Sequence, residues 1–252
     1  MGLSFQLYSA RAFPDLAEFL SLLGELGYDQ VEGFGGLYED PKATRAALDQ
    51  AGLRMTSGHV LLPEFESDLN RVVDLAETLG IGQLYAPYLD EAERPADRAG
   101  WARFAERLAM IGQRVHDRGL RFGWHNHDFE FAPLADGSVP MQVILDEAPD
   151  LEWQADLAWI HRAGADPLAW IEAHALRITG AHVKDIAAPG EAVDEDGWAD
   201  LGQGVMDWAT LLGALRAAQV ELLVLEHDNP SDPERFARRS IAGFEALAEG
   251  AA

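Results

Sequence analysis

The sequence of 252 residues has no cysteine and few basic residues. Without cysteine it can form neither a disulfide nor a thiolate zinc site, so any bound metal would depend on carboxylate and imidazole ligands. Only 19 lysines and arginines stand against 43 aspartates and glutamates, which gives a net charge of −24. Such a chain repels phosphate backbones and anionic lipid surfaces, and this argues against nucleic acid and membranes as partners.

Long apolar runs are also missing from the sequence. No stretch approaches the roughly 18 apolar residues that cross a membrane. The first residues, Met1 to Gln6, lack the basic and then apolar pattern of a leader peptide. The expected location is therefore cytoplasmic. Hydrophobic residues still make up 48% of the chain, which is enough to build a large core.

The sequence does contain a regular alternation of strand-like and helix-like stretches. The predicted strands cover residues 3–8, 30–34, 53–59, 83–87, 120–124, 151–155, 178–183 and 222–225. A stretch with helical spacing follows each strand, and several of these stretches end at a glycine. Eight such pairs with short connections predict a single-domain (β/α)8 TIM barrel over residues 1–252. The alternative is a doubly wound open sheet, but the turn at residues 8–14 lacks the glycine-rich phosphate loop typical of that fold.

Chemically active residues occur where the later predicted strands end. Segment 121–130 runs from an apolar strand into two histidines, an aspartate and a glutamate, groups that are costly to bury without a partner. The next three strands end at Asp156, His182 and Glu226. The C-terminal strand ends of a parallel barrel meet at one face, where the active site lies. We therefore expect these residues to converge on one site.

Each of the three later residues also has a structural interpretation. Asp156 would be a solvated N-cap of the following helix, and His182 a core histidine bonded to a carbonyl. Glu226, after a strand with a fully buried pattern, would pair with lysine or arginine. Their occurrence on three successive strands favours a metal site instead. Such a hard, oxygen-rich ligand set favours Mn²⁺, with Mg²⁺, Co²⁺ or Zn²⁺ as alternatives.

Four segments carry a family resemblance that covers essentially the whole chain. They are residues 124–131 (Trp-His-Asn-His-Asp-Phe-Glu-Phe), 156–167, 180–185 (Gly-Ala-His-Val-Lys-Asp) and 201–207 (Leu-Gly-Gln-Gly-Val-Met-Asp). With them the chain resembles the sugar phosphate isomerase/epimerase family of the xylose-isomerase-like barrel superfamily. The resemblance implies a divalent metal held by Glu, Asp, His and Glu from strands five to eight. The last three ligands correspond to Asp156, His182 and Glu226, whereas the first would fall near Gly123.

Because Gly123 has no side chain, we expect Glu130 to be the first metal ligand, with His125 or His127 as alternatives. The chemistry implied by the resemblance is proton abstraction next to a carbonyl through a metal-bound enediolate, which would isomerise or epimerise a sugar or sugar phosphate. Glu226, Glu130 and His125 are the expected proton-transfer residues. Histidine suits this role in either direction because it titrates near neutral pH.

A small sugar or polyol is thus the expected partner, and a homo-oligomer remains open. The expected substrate-binding residues are His59, His127, Trp159, Lys184 and Asp185. Structural alternatives apply here too. Lys184 would form a salt bridge at the barrel rim, Asp185 would cap a loop, and Trp159 would serve packing.

Other functions remain open at this point. The first is a keto-sugar or inosose lyase or dehydratase on the same metal site, including enzymes that act on 3-keto-glycosides. The second is a sugar-binding barrel without catalysis. The lack of a ligand side chain at Gly123 is the feature that supports it. The third is an abasic-site endonuclease, which would need a three-zinc cluster and a basic DNA-binding face. The net charge of −24 argues against the third.

Overall fold

The computed structural model describes residues 2–249, and within this range eight parallel strands close into one barrel. Each strand pairs with its neighbour in chain order, and the last pairs with the first. The strands are β1 Gly2–Gln6, β2 Gln30–Gly33, β3 Arg54–His59, β4 Gln83–Ala86, β5 Arg121–His125, β6 Glu152–Asp156, β7 Ile178–Val183 and β8 Leu222–Leu225. The predicted TIM barrel is confirmed. The predicted domain includes residues 1 and 250–252, which lie outside the described residues, so its limits remain a prediction.

Helices surround the barrel. Those of residues 2–249 are α1 Leu16–Glu25, α2 Pro41–Ala51, α3 Leu62–Ser67, α4 Leu69–Leu79, α5 Arg98–His116, α6 Pro140–Glu147, α7 Leu157–Arg162, α8 Pro167–His174, α9 Trp208–Ala217 and α10 Pro233–Glu249. An aspartate side chain caps the first turn of several, for example Asp15 before α1 and Asp166 before α8. None of these helices combines the length and the apolar character needed to cross a membrane.

A shell of apolar side chains lies between the strands and the helices, and it contains the hydrophobic core. Successive strand residues face opposite sides of the sheet. On the outer side of β5, the ring of Phe122 lies 5.1 Å from that of Phe65 on α3, and the ring of Trp124 lies 5.2 Å from that of Phe104 on α5. Burial of each such side chain contributes about 1.5–3 kcal/mol to stability. The opposite face of the same strand points into the barrel.

The long connection after β7 is ordered by one carboxylate. It contains a small antiparallel ribbon, in which residues 185–186 pair with residues 198–199. Asp185 accepts hydrogen bonds from the backbone N–H groups of Gly202 and Gly204, at 2.9 and 3.1 Å. A Cβ atom at position 204 would collide with this carboxylate, which explains the second glycine of the Gly-Gln-Gly segment. The ribbon brings Trp198 to the mouth of the barrel.

Candidate active site

A cavity of about 680 Å³ opens at the C-terminal ends of the barrel strands. Its walls are largely aromatic, and its floor carries ionisable groups. The residues that line it include Tyr8, Phe34, Tyr88, Trp159 and Trp198 on the walls, and His59, His125, His127, Glu226 and Asp228 further in. Cavities of this size, with convergent polar groups inside an apolar surround, are typical of small-molecule sites.

Three of the four predicted metal ligands meet in the barrel. Asp156, His182 and Glu226 each offer a ligand atom within 4.8 Å of the other two, and all three side chains are buried. Nδ1 of His182 lies 2.6 Å from Oε2 of Glu226 and 3.9 Å from Oδ2 of Asp156. Separations of this size allow the three atoms to share one cation. Residues distant in the sequence converge here because β6, β7 and β8 end at the same face.

The two carboxylate oxygens of Asp156 have different surroundings. Oδ1 caps α7 by accepting hydrogen bonds from the backbone N–H groups of Ala158 and Trp159, both at 3.0 Å. Oδ2 is buried and has no hydrogen-bond partner among residues 2–249. The helix-cap interpretation therefore accounts for only one oxygen. The charge of Oδ2 is balanced instead by the ammonium of Lys184, whose Nζ lies 3.0 Å away. Two carboxylate oxygens and one imidazole nitrogen that lie within 4.8 Å of one another form a donor set that fits a divalent metal.

Lys184 supplies positive charge at the same place. Its Nζ lies 3.0 Å from Oδ2 of Asp156, 2.8 Å from Oε2 of Glu226 and 2.9 Å from Oδ2 of Asp228. Burial alone would lower the pKa of Lys184, but the carboxylates of Asp156, Asp228 and Glu226 outweigh it and raise that pKa above its ordinary value. The predicted alternative, a salt bridge of Lys184, is therefore present.

Glu32 at the end of β2 was not predicted as a site residue. Its carboxylate is fully buried and accepts a hydrogen bond from Nε2 of His182 at 2.7 Å and from Nε2 of Gln6 at 2.9 Å. Burial would raise the pKa of Glu32, but His59 and His182 hold it below its ordinary range. A carboxylate that accepts from one nitrogen of a histidine fixes which nitrogen is left for a metal. Glu32 thus directs Nδ1 of His182 towards Asp156.

Burial lowers the pKa of His182, but the carboxylates of Glu226 and Glu32 outweigh it and raise that pKa to about 10. The imidazolium therefore donates from both nitrogens, from Nδ1 to Glu226 and from Nε2 to Glu32. When a cation binds at Nδ1, Nε2 can keep its proton and still donate a hydrogen bond to Glu32.

Gln154 orients two further imidazoles. Its amide nitrogen donates to Glu32 at 2.7 Å, so its oxygen Oε1 is an acceptor. Nε2 of His59 and Nδ1 of His125 both lie against this oxygen, at 2.7 and 3.0 Å, and must carry the donated protons. Burial and the neighbouring His182 hold the pKa of His125 well below its ordinary value. The unprotonated nitrogen of His125 is therefore Nε2, which lies 4.0 Å from Oδ2 of Asp156.

Glu130 does not join this cluster. Its two carboxylate oxygens accept hydrogen bonds from Nε1 of Trp124 at 3.0 Å and from the backbone N–H of His127 at 2.9 Å. Burial raises the pKa of Glu130 to about 8, against the lowering effect of these bonds. No group of possible metal ligands found within residues 2–249 contains Glu130. The structure thus places Glu130 at the base of the turn after β5, where it holds that turn in shape.

The packing around position 123 explains why the residue there is glycine. A Cβ atom there would lie 2.8 Å from the ring of Tyr85 on β4 and from the carbonyl oxygen of Glu152 on β6. The hydroxyl of Tyr85 in turn bonds Thr179 at 3.0 Å. Tyr85 therefore fills the space that a glutamate at position 123 would need. His125, two residues later on the same face of β5, is the side chain of this strand that lies near Asp156.

The predicted substrate-binding residues divide into two groups. His59, His127 and Trp159 line the cavity, and Nδ1 of His127 is buried without a hydrogen-bond partner in the described part of the chain. Burial lowers the pKa of His127 to about 3, so its imidazole is neutral. Asp185 instead accepts hydrogen bonds from the loop backbone, and Lys184 lies beneath the cavity among the carboxylates of Asp156, Glu226 and Asp228. Neither of these two is part of the cavity lining.

Several residues at the site were not predicted from the sequence: Glu32, Gln154, Asp228, Arg162 and Trp198. A signal for the first two was present. Strands buried on both faces normally read as continuous apolar runs, whereas β2 and β6 contain Gln-Val-Glu and Gln-Ala-Asp. Polar residues at alternate positions of a barrel strand indicate a polar interior.

Comparisons with known proteins agree with the barrel fold. Residues 20–247 match the family described as xylose isomerase-like TIM barrel. A sugar phosphate isomerase/epimerase from Parabacteroides distasonis superposes with a TM-score of 0.82 at 21% identity, over 97% of this chain and 93% of that chain. IolI, whose structure contains a zinc atom, gives 0.80 at 15% identity, over 100% and 99%. The 3-keto-D-glucoside 4-epimerase of E. coli gives 0.71 at 19% identity, over 98% and 99%.

No curated protein matches the sequence. The solved structures, at these low identities, show that the fold is shared. The family match spans most of the chain, and the predicted family resemblance is confirmed. The chain belongs to the xylose isomerase-like TIM barrel family.

Proposed function

We propose that this protein is a divalent-metal-dependent isomerase or epimerase of a sugar or polyol, acting by proton transfer next to a carbonyl. The observation that carries the proposal is the convergence of Asp156, His182 and Glu226, whose buried ligand atoms lie within 4.8 Å of one another. This group lies beside a cavity large enough for a sugar, and one solved structure of the same fold is that of a sugar epimerase.

The same three residues would hold the cation, and Mn²⁺ is the ion that this ligand set favours. A divalent cation bound there supplies stabilisation for negative charge that develops on the substrate's carbonyl oxygen. Glu32 contributes by holding Nε2 of His182, so that Nδ1 stays directed at the ligand group. Nothing in this arrangement requires Glu130.

Proton transfer is assigned to His125. The oxygen of Gln154 accepts a hydrogen bond from Nδ1 of His125, so Nε2 is the nitrogen of His125 without a proton. Nε2 can therefore accept a carbon-bound proton and return it. The neutral imidazole of His127 and the indole of Trp159 line the cavity, where they can bind hydroxyl groups and one face of a sugar ring.

The test is metal-dependent exchange of carbon-bound hydrogen with D₂O, followed by NMR over a panel of free and phosphorylated ketoses and inososes. Exchange that needs Mn²⁺ and stops when the ion is removed supports the proposal. Formation of an eliminated product would indicate the lyase alternative instead. Binding of a sugar without any exchange would indicate a binding protein.

A pair of matched variants makes this test specific to the site. Asp156 and Asp166 both cap helices, and asparagine caps nearly as well as aspartate. We expect Asp156→Asn to lower bound Mn²⁺ and hydrogen exchange by at least about a hundredfold, because the charged oxygen of Asp156 beside His182 becomes part of a neutral amide group. Asp166→Asn should leave both unchanged. Full metal content and exchange in Asp156→Asn would contradict the proposed ligand set.

A further inference from the structure

The ammonium of Lys184 lies on the same oxygen atoms that would bind the cation. These atoms are Oδ2 of Asp156, at 3.0 Å, and Oε2 of Glu226, at 2.8 Å. They are also the two atoms nearest to Nδ1 of His182 within the ligand group. Lys184 is almost completely buried, so its charge is not screened by solvent. A divalent cation at these oxygens would therefore meet a like charge at short range.

Lys184 also has partners that are not part of the ligand group. Its ammonium donates a hydrogen bond to Oδ2 of Asp228 at 2.9 Å. The ring centres of Trp198 and Trp159 lie 4.7 and 5.4 Å from its Nζ, within the range of cation–π attraction. Asp228 is on the loop just after Glu226 and borders the cavity. The ammonium thus has an acceptor and two aromatic faces that would remain when Asp156 and Glu226 bind an ion.

We propose that Lys184 is a built-in competitor of the divalent cation, and that Asp228 is the residue that holds its ammonium while the ion is bound. The inference rests on the proposed function, since it concerns the same cation. Without the ion, Lys184 balances the charge of two buried carboxylates, which would be costly to leave unpaired. With the ion, it moves towards Asp228 and the tryptophans. The competition keeps the site intact when it is empty and makes metal binding weaker and more reversible than the ligands alone would allow.

The test measures Mn²⁺ binding by titration calorimetry and by the EPR signal of free Mn²⁺, so that it does not depend on activity. Lys184→Met removes the ammonium and keeps an unbranched side chain, and Lys184→Gln is a second variant in case the first does not fold. The matched control is Lys42→Met, which removes the charge of the other lysine of the sequence. Lys42 is exposed on α2 and does not line the cavity.

We expect both Lys184 variants to bind Mn²⁺ more tightly than the wild type, by about ten- to a hundredfold, the range over which partners of metal ligands act. Lys42→Met should stay within about twofold of the wild type. A Lys184 variant that binds Mn²⁺ no more tightly than Lys42→Met overturns the inference while the metal site stands. If neither the wild type nor any of the variants binds Mn²⁺, both this inference and the proposed function fail.

A double-mutant cycle of Asp228 and Lys184 tests the role of Asp228. Asp228→Asn in the wild type should weaken Mn²⁺ binding by about tenfold, because Lys184 loses the acceptor to which it withdraws. In the Lys184→Met background the same change should have an effect of about twofold or less, since no ammonium is left to hold. Equal effects in the two backgrounds would show that Asp228 acts only through its own charge, and would overturn its assigned role.

Discussion

The same strands line the interior of the barrel with polar side chains and the shell around it with apolar side chains. In the interior, Gln6, Glu32, Gln154 and His182 are joined by hydrogen bonds of 2.7 to 2.9 Å. In the shell, apolar side chains pack against the helices, as the ring of Phe122 does against that of Phe65 on α3. Both regions are equally closed to solvent. The difference between them is therefore one of chemistry and not of burial.

This difference determines what a change in each region does. An apolar shell depends on volume, so loss of a side chain leaves a cavity whose cost is spread over many contacts. A polar interior depends on directed pairs, so loss of one partner leaves a specific buried group unsatisfied. We infer that shell residues set the stability of the barrel, and that interior residues set the orientation of the site.

The largest predicted effect on stability belongs to the shell. Phe122→Ala should lower the free energy of unfolding by about 3–5 kcal/mol, because a buried aromatic ring leaves a cavity between β5 and α3. Urea denaturation measures this change. The control Met110→Ala, at a side chain that is 64% exposed, should stay within about 0.5 kcal/mol of the wild type. Folded Phe122→Ala should bind Mn²⁺ like the wild type. A folded variant that lost the metal would show that the two regions are not separable.

The next effect belongs to the interior and should appear in metal binding. Glu32→Gln removes the charge that holds Nε2 of His182, with little change in shape. Mn²⁺ affinity should fall by about ten- to a hundredfold, which corresponds to about 1.4–2.7 kcal/mol. Glu152→Gln is the control, because Glu152 is also a strand glutamate but pairs with Arg121 at the other end of the barrel. Equal affinities of Glu32→Gln and the wild type would contradict the orienting role of Glu32.

The shell is also the part of the molecule that the sequence predicts well. The spacing of apolar residues predicted all eight strands and most of the helices, because outward strand faces and helix stripes repeat with fixed periods. Two short helices, α3 and α7, were not predicted. Each has six residues, which is too short to show a helical period. The observed strand ends differ from the predicted ones by up to two residues, as for β1, which ends at Gln6.

The interior was harder to predict, since its contacts join residues far apart in the sequence. The convergence of Asp156, His182 and Glu226 was predicted because each residue stands at the end of a predicted strand. Glu32 was not, because β2 has only four residues and its glutamate resembles one on a solvent-facing strand. Glu130 was expected to be a ligand because it is the nearest carboxylate after β5. The direction of the Glu130 side chain depends on the conformation of the turn after β5, which no periodicity in the sequence predicts.

The last prediction concerns the pH dependence of stability that Glu130 causes, since this residue connects the two regions. Its carboxyl group bonds Trp124 of the shell and the backbone of His127 at the cavity. Burial raises the pKa of Glu130 from the ordinary value of 4.5 to about 8. Between these two values the folded protein holds a proton that the unfolded chain has lost. The stabilisation from this group is therefore complete below about pH 4.5 and is lost as the pH rises towards about 8, by at most about 1.4 kcal/mol for each pH unit.

The variant Glu130→Gln isolates this contribution, because glutamine cannot titrate and every other group remains. We expect the unfolding free energy of the wild type, minus that of Glu130→Gln, to decrease steadily between pH 5 and pH 8 in urea denaturation. The exposed control Glu106→Gln on α5 should give a difference without this slope. A flat difference for Glu130→Gln would mean that Glu130 is ionised in the folded protein. Glu130 would then be a charged residue like those of the barrel interior, and not a neutral residue between the interior and the shell.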